Sequence, residues 1–313
     1  MKTLFLFFLL MSVPVIAQQF DKKWDAVITL EKEGKIKSAN AVVDKIYTKA
    51  VSSNNETQII KCFFYNSKYI QTLEEDAQTK ILNNLKRQIK TVSEPSKAIL
   101  NFVYGKCLND YYYENRYKIT SRTATESSDA NFLLWPKESF KKQSDLAFTN
   151  SIANEAILKK TPLKSYEHLF DYYSLEKLNE QNLYEYLLNE NITYFTKNLD
   201  SWNIETAIFV KFKDTLYGDS DSFKSLSINF VKDENLKKLI AFYQKKELDN
   251  NSLATRFSRM KFCNKYLIKN ASDFLDALNK IQDKSIDPIL LQDIQLEKAN
   301  LYTELASKDI HPD

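Results

Sequence analysis

Histidine and cysteine, the residues that most often mark acid–base, metal or nucleophilic sites, are few and far apart in this chain of 313 residues. There are two histidines, His168 and His311, and neither lies in a recognised metal-ligand spacing. Glu167, next to His168, would point in another direction on a helix. The chain contains no G-x-S-x-G elbow, H-E-x-x-H pair or Walker loop. The sequence therefore predicts no catalytic residue, no cofactor, no metal site and no enzyme activity.

The three cysteines, Cys62, Cys107 and Cys263, are widely spaced and form no C-x-x-C pair. Cys62 and Cys107 lie in apolar runs, which is typical of buried thiols that act as small hydrophobic side chains. A disulfide is the alternative, although three cysteines cannot all pair.

Asp219-Ser220-Asp221 has the acidic spacing with which a calcium loop begins. In such a loop the required glycine would fall on Lys224 and the bidentate acid on Phe230, so the motif fails. We predict a solvated turn.

An aromatic cluster supplies the candidate partner-binding residues, which are Tyr111, Tyr112, Arg116 and Tyr117. Tyrosine rings and a guanidinium group could stack on a sugar or on an aromatic anchor of a partner. Successive residues on a helix point in all directions around it, however, and this favours the alternative, in which the rings pack between neighbouring helical hairpins.

Composition excludes several classes of protein. The only glycines are Gly34, Gly105 and Gly218, too few for phosphate-binding loops or an architecture rich in β-hairpins. Forty-four basic residues against forty-one acidic ones leave a formal charge of +3, and five of the basic residues are arginine. Nucleic-acid binding is therefore not expected, because base and phosphate recognition relies on arginine concentrated on one face.

The spacing of apolar residues predicts an all-α fold of antiparallel helical hairpins. Gly34 ends the first predicted helix. Asp233 is the expected N-terminal cap of the helix at 236–243, and Asp287 that of the helix at 288–306. The predicted helices lie at about 20–34, 37–53, 59–70, 81–92, 95–111, 137–160, 183–195, 236–243, 252–267, 273–281 and 288–306. The segment 204–231 is the exception, since Ile208, Val210 and Phe212 alternate like a short strand or lie in an irregular connection.

Consecutive hairpins predict a solenoid, because each hairpin must stack on the next to cover its apolar face. Gly34, Ala39 and the apolar residues behind them resemble the turn and second helix of a tetratricopeptide repeat, without a strict period along the chain. We expect degenerate repeats in regions 18–117 and 132–313, separated by a Ser/Thr-rich polar loop at 118–131.

The N-terminus predicts export. Lys2, the apolar run Leu4–Leu10 and the ending Val15-Ile16-Ala17 fit a signal peptide, residues 1–17, cleaved after Ala17. Later residues contain no apolar stretch of transmembrane length. The expected location is periplasmic or extracellular, with a protein partner in the cell envelope.

A series of short segments rich in aromatic and apolar residues runs along the chain: Gln19–Trp24, Leu30–Lys35, Ile46-Tyr47, Glu94–Leu100, Tyr111–Tyr117, Arg122-Thr123, Pro162-Leu163 and Leu183–Leu187. In this order they are similar to the helical N-terminal region of bacterial alpha-2-macroglobulin-like proteins. In that family, β-sandwich macroglobulin domains, a bait region and often a Cys-x-Glu-Gln thioester follow the helical region. Here no cysteine begins that motif, so the resemblance implies a split or truncated member unable to trap a protease.

The functional expectation is thus an exported, non-catalytic protein-interaction module resembling the N-terminal part of a protease inhibitor. The alternative is an independent helical-repeat adaptor of the envelope that binds a peptide or protein, and a hydrolase is a third alternative.

Overall fold

The computed structural model describes residues 20–122, 131–169, 182–281 and 286–310. Within these ranges every regular element is helical, which confirms the predicted all-α class, and the β contact found there is an isolated bridge between Pro162 and Asn182. The predicted signal peptide, residues 1–17, lies outside the described residues. The chain divides into two compact units, Met1–Leu187 and Leu188–Asp313.

The helices of the first unit alternate with short turns. They are α1 (20–32), α2 (Ile36–Ser52), α3 (Glu56–Leu73), α4 (Ala77–Gln88), α5 (Ser96–Glu114), α6 (Arg116–Thr120), α7 (Lys137–Asn150) and α8 (Glu155–Lys159), with 3₁₀ segments at Phe132–Leu134 and Leu163–Leu169. Helix α9 (Leu183–Lys197) begins in the first unit and ends in the second.

The turn between α1 and α2 is closed by Gly34, as predicted. Gly34 has φ of +71°, a backbone conformation that costs a residue with a Cβ about 1–2 kcal/mol. The Lys35 N–H donates to the Leu30 carbonyl at 2.9 Å and the Gly34 N–H to the Glu31 carbonyl at 3.0 Å. These two bonds form a Schellman motif, which satisfies carbonyls at the end of α1 and turns the chain into α2.

The core of α1, α2 and α3 is built from apolar residues at helical spacing. Its buried members are Phe20, Trp24, Val27, Ala39, Val43, Ile46, Ala50, Ile59, Cys62 and Tyr69. The Trp24 Nε1–H donates to Gln58 Oε1 at 2.6 Å, and Lys61 Nζ lies 4.3 Å from the centre of the Trp24 ring. The indole therefore joins α1 to α3 by a hydrogen bond as well as by packing.

Helices α5 and α7 pack closely because Gly105 presents no side chain to α7. A Cβ on Gly105 would lie 2.8 Å from Phe148 Cδ2 and 3.2 Å from Ala147 Cβ. The two helices lie on either side of the polar loop predicted at 118–131, so that loop connects helices that pack together within one unit. The start of the predicted loop is helical, since α6 continues to Thr120, and residues 123–130 lie outside the described residues.

The second unit contains both short and long helices, from five to 23 residues in length. They are α10 (Thr206–Val210), α11 (Lys213–Tyr217), α12 (Ser220–Lys224), α13 (Glu234–Asp249), α14 (Leu253–Phe262), α15 (Ala271–Asn279) and α16 (Pro288–Ile310), with a π-helical turn at Cys263–Ile268. The Asp233 cap was predicted correctly, since its carboxylate accepts from the Leu236 N–H at 2.7 Å. The Asp287 cap was also predicted correctly, with its carboxylate accepting from the N–H groups of Ile289 and Leu290.

Two predicted elements differ from the structure. The single helix predicted at 137–160 is interrupted after Asn150, where Ser151 Oγ donates to the Phe148 carbonyl at 2.6 Å and the chain turns before α8. A short strand or an irregular connection was expected at Ile208, Val210 and Phe212; the structure has instead the short helix Thr206–Val210, which buries Phe209, followed by a turn that contains Phe212. Neither a glycine nor a proline marks the interruption after Asn150.

A buried ion pair fixes the middle of the second unit. The Arg259 guanidinium on α14 donates to both carboxylate oxygens of Glu247 on α13, at 2.6 and 3.3 Å. Its remaining N–H groups donate to backbone carbonyls at the end of α11, including that of Gly218 at 3.0 Å. Both side chains are fully buried. Because Arg259 bonds to Glu247 and to these carbonyls at once, it links the α11–α12 turn to α13.

Across the described ranges, no helix combines the length and the apolar character that crossing a membrane requires.

Candidate functional site

The structure divides the predicted tyrosine–arginine cluster into a packed half and an exposed half. Tyr111 lies at the end of α5, where its ring stacks on Phe140 of α7 at 5.7 Å and meets the edge of Phe132 at 5.2 Å. The Tyr112 ring also lies 6.2 Å from Phe140. Both tyrosines are half-buried, so they mainly join α5 to α7.

Arg116 and Tyr117 form the exposed half on α6. The Tyr117 side chain is 80% exposed, and the Arg116 guanidinium lies 5.0 Å from the centre of its ring. Arg116 Nη2 also donates to the Tyr117 hydroxyl at 3.1 Å. These two residues remain available to a partner, and their role in binding one stays a prediction.

A small cavity of about 200 Å³ lies beside Tyr111, between α3, α4 and α5. Gln78 Nε2 donates to Glu114 Oε2 at 3.0 Å across one of its walls. Cys107 lines the cavity, and burial raises the pKa of its thiol to about 11. A thiol with this pKa is almost fully protonated near neutral pH, so the cavity offers no reactive nucleophile.

A larger groove, of about 320 Å³, lies in the second unit next to an exposed tryptophan. We call it the Trp202 groove, because the turn that carries Trp202 contributes Asp200 and Asn203 to its lining; Trp202 itself is not among the lining residues. The lining residues are Asp200, Asn203, Ile204, Glu205, Ile208, Phe209, Phe230, Val231, Lys232, Asp233 and Leu236.

Trp202 lies at the tip of a turn that several hydrogen bonds hold in place. Asn203 donates to Asp200 twice, from its backbone N–H to the carbonyl at 3.3 Å and from Nδ2 to Oδ2 at 2.7 Å. Lys269 Nζ, from the end of the π-helical turn, donates to the Ser201 carbonyl at 3.0 Å. The turn thus holds a side chain that is 94% exposed beside the groove.

Aromatic residues form the floor of the groove. The Phe230 ring stacks on Phe212 with centres 4.7 Å apart, and it contacts Phe209 of α10 at 5.7 Å. Phe209 and Leu236 are buried beneath the surface, whereas Phe230 is half-buried. The floor is therefore apolar and is supported by the packing of the second unit.

The rim of the groove is acidic. Asp200, Glu205 and Asp233 line it together with one cation, Lys232. Histidine, cysteine, serine and threonine are absent from the lining residues, and no cluster of three or more potential metal ligands is found in the described part of the chain. An apolar floor with a few charged groups at its edge can bind and orient a ligand.

Among the described residues, the remaining chemical candidates do not converge on a site. All three cysteines are free, and burial raises the pKa of both the Cys62 and the Cys263 thiol to about 12. Asp219 is the N-terminal cap of α12: it accepts from the Ser222 N–H, and this bond lowers the pKa of its carboxyl. His311 and the side chain of His168 lie outside the described residues.

The Trp202 groove was missed by sequence reasoning. Trp202 precedes the segment 204–231, whose helices are too short to show a period, so nothing in the pattern indicated which side chains would meet there. The one available signal was a tryptophan among polar residues, in Asp200-Ser201-Trp202-Asn203.

Comparisons of this chain with protein-family models, with curated proteins and with solved structures find no match.

Proposed function

We propose that this protein is a non-catalytic interaction module that binds a segment of a partner protein in the Trp202 groove. The observation that carries the proposal is the nearly complete exposure of Trp202 on a hydrogen-bonded turn beside an apolar groove. Tryptophan is enriched among the residues that dominate the energy of protein interfaces. The Trp202 indole is a large apolar group exposed to solvent, and a partner bound in the groove would bury it.

The wider proposal is an exported module of hairpins stacked as a degenerate tetratricopeptide-like solenoid, comparable to the helical N-terminal region of alpha-2-macroglobulin-like proteins. The all-α class of the described residues and the Gly34 turn between α1 and α2 support this part. The independent envelope adaptor stays the alternative. The identity of the captured partner separates the two, since macroglobulin-type β domains or a protease would favour the first.

Site-specific photo-cross-linking tests the proposal. A benzophenone amino acid replaces Trp202 in the full chain, expressed in its native cell and irradiated. The matched control replaces Leu248, a side chain of the same unit that is 69% exposed and whose chain neighbours do not line the groove, unlike those of Trp202. A third variant carries the probe at Tyr117, in the exposed half of the predicted cluster.

We expect one discrete protein adduct from position 202 and none from position 248. Adducts from position 117 alone would show that the partner binds at α6, and this result would overturn the assignment to the groove. The absence of an adduct at all three positions would overturn the interaction function.

A further inference from the structure

We infer that the segment bound in the Trp202 groove presents a lysine or arginine flanked by apolar residues. This inference rests on the proposed function and adds the chemical class of the partner. It follows from the charges at the rim, the exposed indole and the size of the groove.

The charges at the rim favour a cation. Three carboxylates, those of Asp200, Glu205 and Asp233, and one ammonium group, that of Lys232, line the groove. Lys269 Nζ lies on the adjoining Trp202 turn, so the carboxylates outnumber the ammonium groups by three to two. An acidic or phosphorylated segment would bring like charges together, which costs free energy at an interface. A cationic segment would gain from the same charges.

The three carboxylates are not equivalent. Asp233 Oδ1 caps α13 and Asp200 Oδ2 accepts from Asn203, so each of these groups already has a structural partner. Glu205 precedes α10 and makes no side-chain capping bond there. Glu205 is exposed, and it is therefore the carboxylate best able to pair with a cation of the partner.

The rest of the groove suits the long stem of a lysine or arginine. Such side chains lay their methylene groups along apolar surface and keep the charge in water. Ile204, Ile208 and Phe230 provide half-buried apolar surface, and Trp202 provides an exposed indole, the best of the aromatic faces for a cation. The apolar residues that flank the lysine or arginine of the partner segment would pack on the Trp202 indole.

The volume of the groove limits the occupant. About 320 Å³ is near the lower end of the range for ligand pockets, enough for a few side chains. We therefore assign the groove to a short extended peptide segment.

Binding of three dye-labelled peptides to the full chain, followed by fluorescence anisotropy, tests the inference. The peptides share a leucine-rich sequence and differ in one central residue, which is lysine, glutamine or glutamate. The lysine peptide should bind about 3–10-fold more tightly than the glutamine peptide, and the glutamate peptide should bind most weakly. The preference should decrease as salt increases, because the charges are exposed.

Two variants make the test specific. Glu205→Gln should reduce the affinity for the lysine peptide about 2–5-fold and leave the glutamine peptide unaffected. Glu75→Gln removes the same charge from an exposed position in the first unit and should leave both affinities unchanged.

The outcomes separate this inference from the proposed function. Equal binding of all three peptides, or failure of all three while position 202 still cross-links to a partner, would overturn the cationic assignment alone. Failure of every peptide together with no cross-link from position 202 would overturn both.

Discussion

Replacement of Arg259 by methionine should destabilise the second unit severely. Arg259 and Glu247 are both fully buried, and the substitution leaves the Glu247 carboxylate without its bidentate partner. It also removes donors from the carbonyls of Leu216 and Gly218 and a cation 4.4 Å from the centre of the Phe223 ring. Methionine ends about where Nε of Arg259 lies and has no side-chain N–H group, so the substitution removes the charge and the hydrogen bonds and also leaves the space of the guanidinium empty.

The expected loss follows from the cost of an unpaired buried charge. Breaking a buried ion pair by removing one partner costs about 3–5 kcal/mol, and we expect a loss of about 4 kcal/mol here. With a urea dependence of about 2 kcal/mol per molar, the unfolding midpoint should decrease by about 2 M. Far-UV circular dichroism during urea titration measures this change.

Two further variants test the reasoning. Arg87 is exposed, and Arg87→Met should change the unfolding free energy by less than about 0.5 kcal/mol. The double variant Glu247→Leu/Arg259→Met removes both charges and should be more stable than Arg259→Met alone. The account of this ion pair is refuted if Arg259→Met matches the Arg87 variant, or if the double variant loses as much stability as the single one.

Two other predictions concern the thiols and the contact between α5 and α7. With pKa values of about 12 for Cys263 and about 11 for Cys107, reaction with a disulfide reagent at pH 8 should be about 1,000-fold and about 100-fold slower than in the urea-unfolded chain. Native rates equal to the unfolded rates would contradict this burial. Gly105→Ala should lower the unfolding free energy by about 1–2 kcal/mol, because the new methyl group overlaps Phe148 despite better helix propensity. A stabilised variant in the same urea titration would contradict the close approach.

The sequence predicted helices where an apolar period persisted for several turns. Gly34 was recognisable because a glycine after an amphipathic run is typical of a helix end, and the structure gives it positive φ. The interruption after Asn150 was not predicted, because no glycine or proline marks it in the sequence. The five-residue helix Thr206–Val210 is too short to show a helical period.

The candidate site was predicted less well than the fold. The aromatic run at the end of α5 attracted attention by composition, yet Tyr111 and Tyr112 mainly pack on Phe140. Asp200 and Asn203, on either side of Trp202, are separated from Phe230 along the chain and line the same groove only through tertiary packing. Exposure of a side chain is set by that packing, so a hydrophobicity pattern does not reveal it.

Acrylamide quenching of tryptophan fluorescence tests the central claim most directly. Trp202 is 94% exposed, whereas Trp24 and Trp135 are 4% and 5% exposed, so the free chain should show one readily quenched component that Trp202→Phe abolishes. Saturation with the lysine peptide should protect that component from acrylamide and shift its emission to shorter wavelength. A peptide that binds while Trp202 stays fully quenchable would contradict the claim that the groove beside it is the binding site.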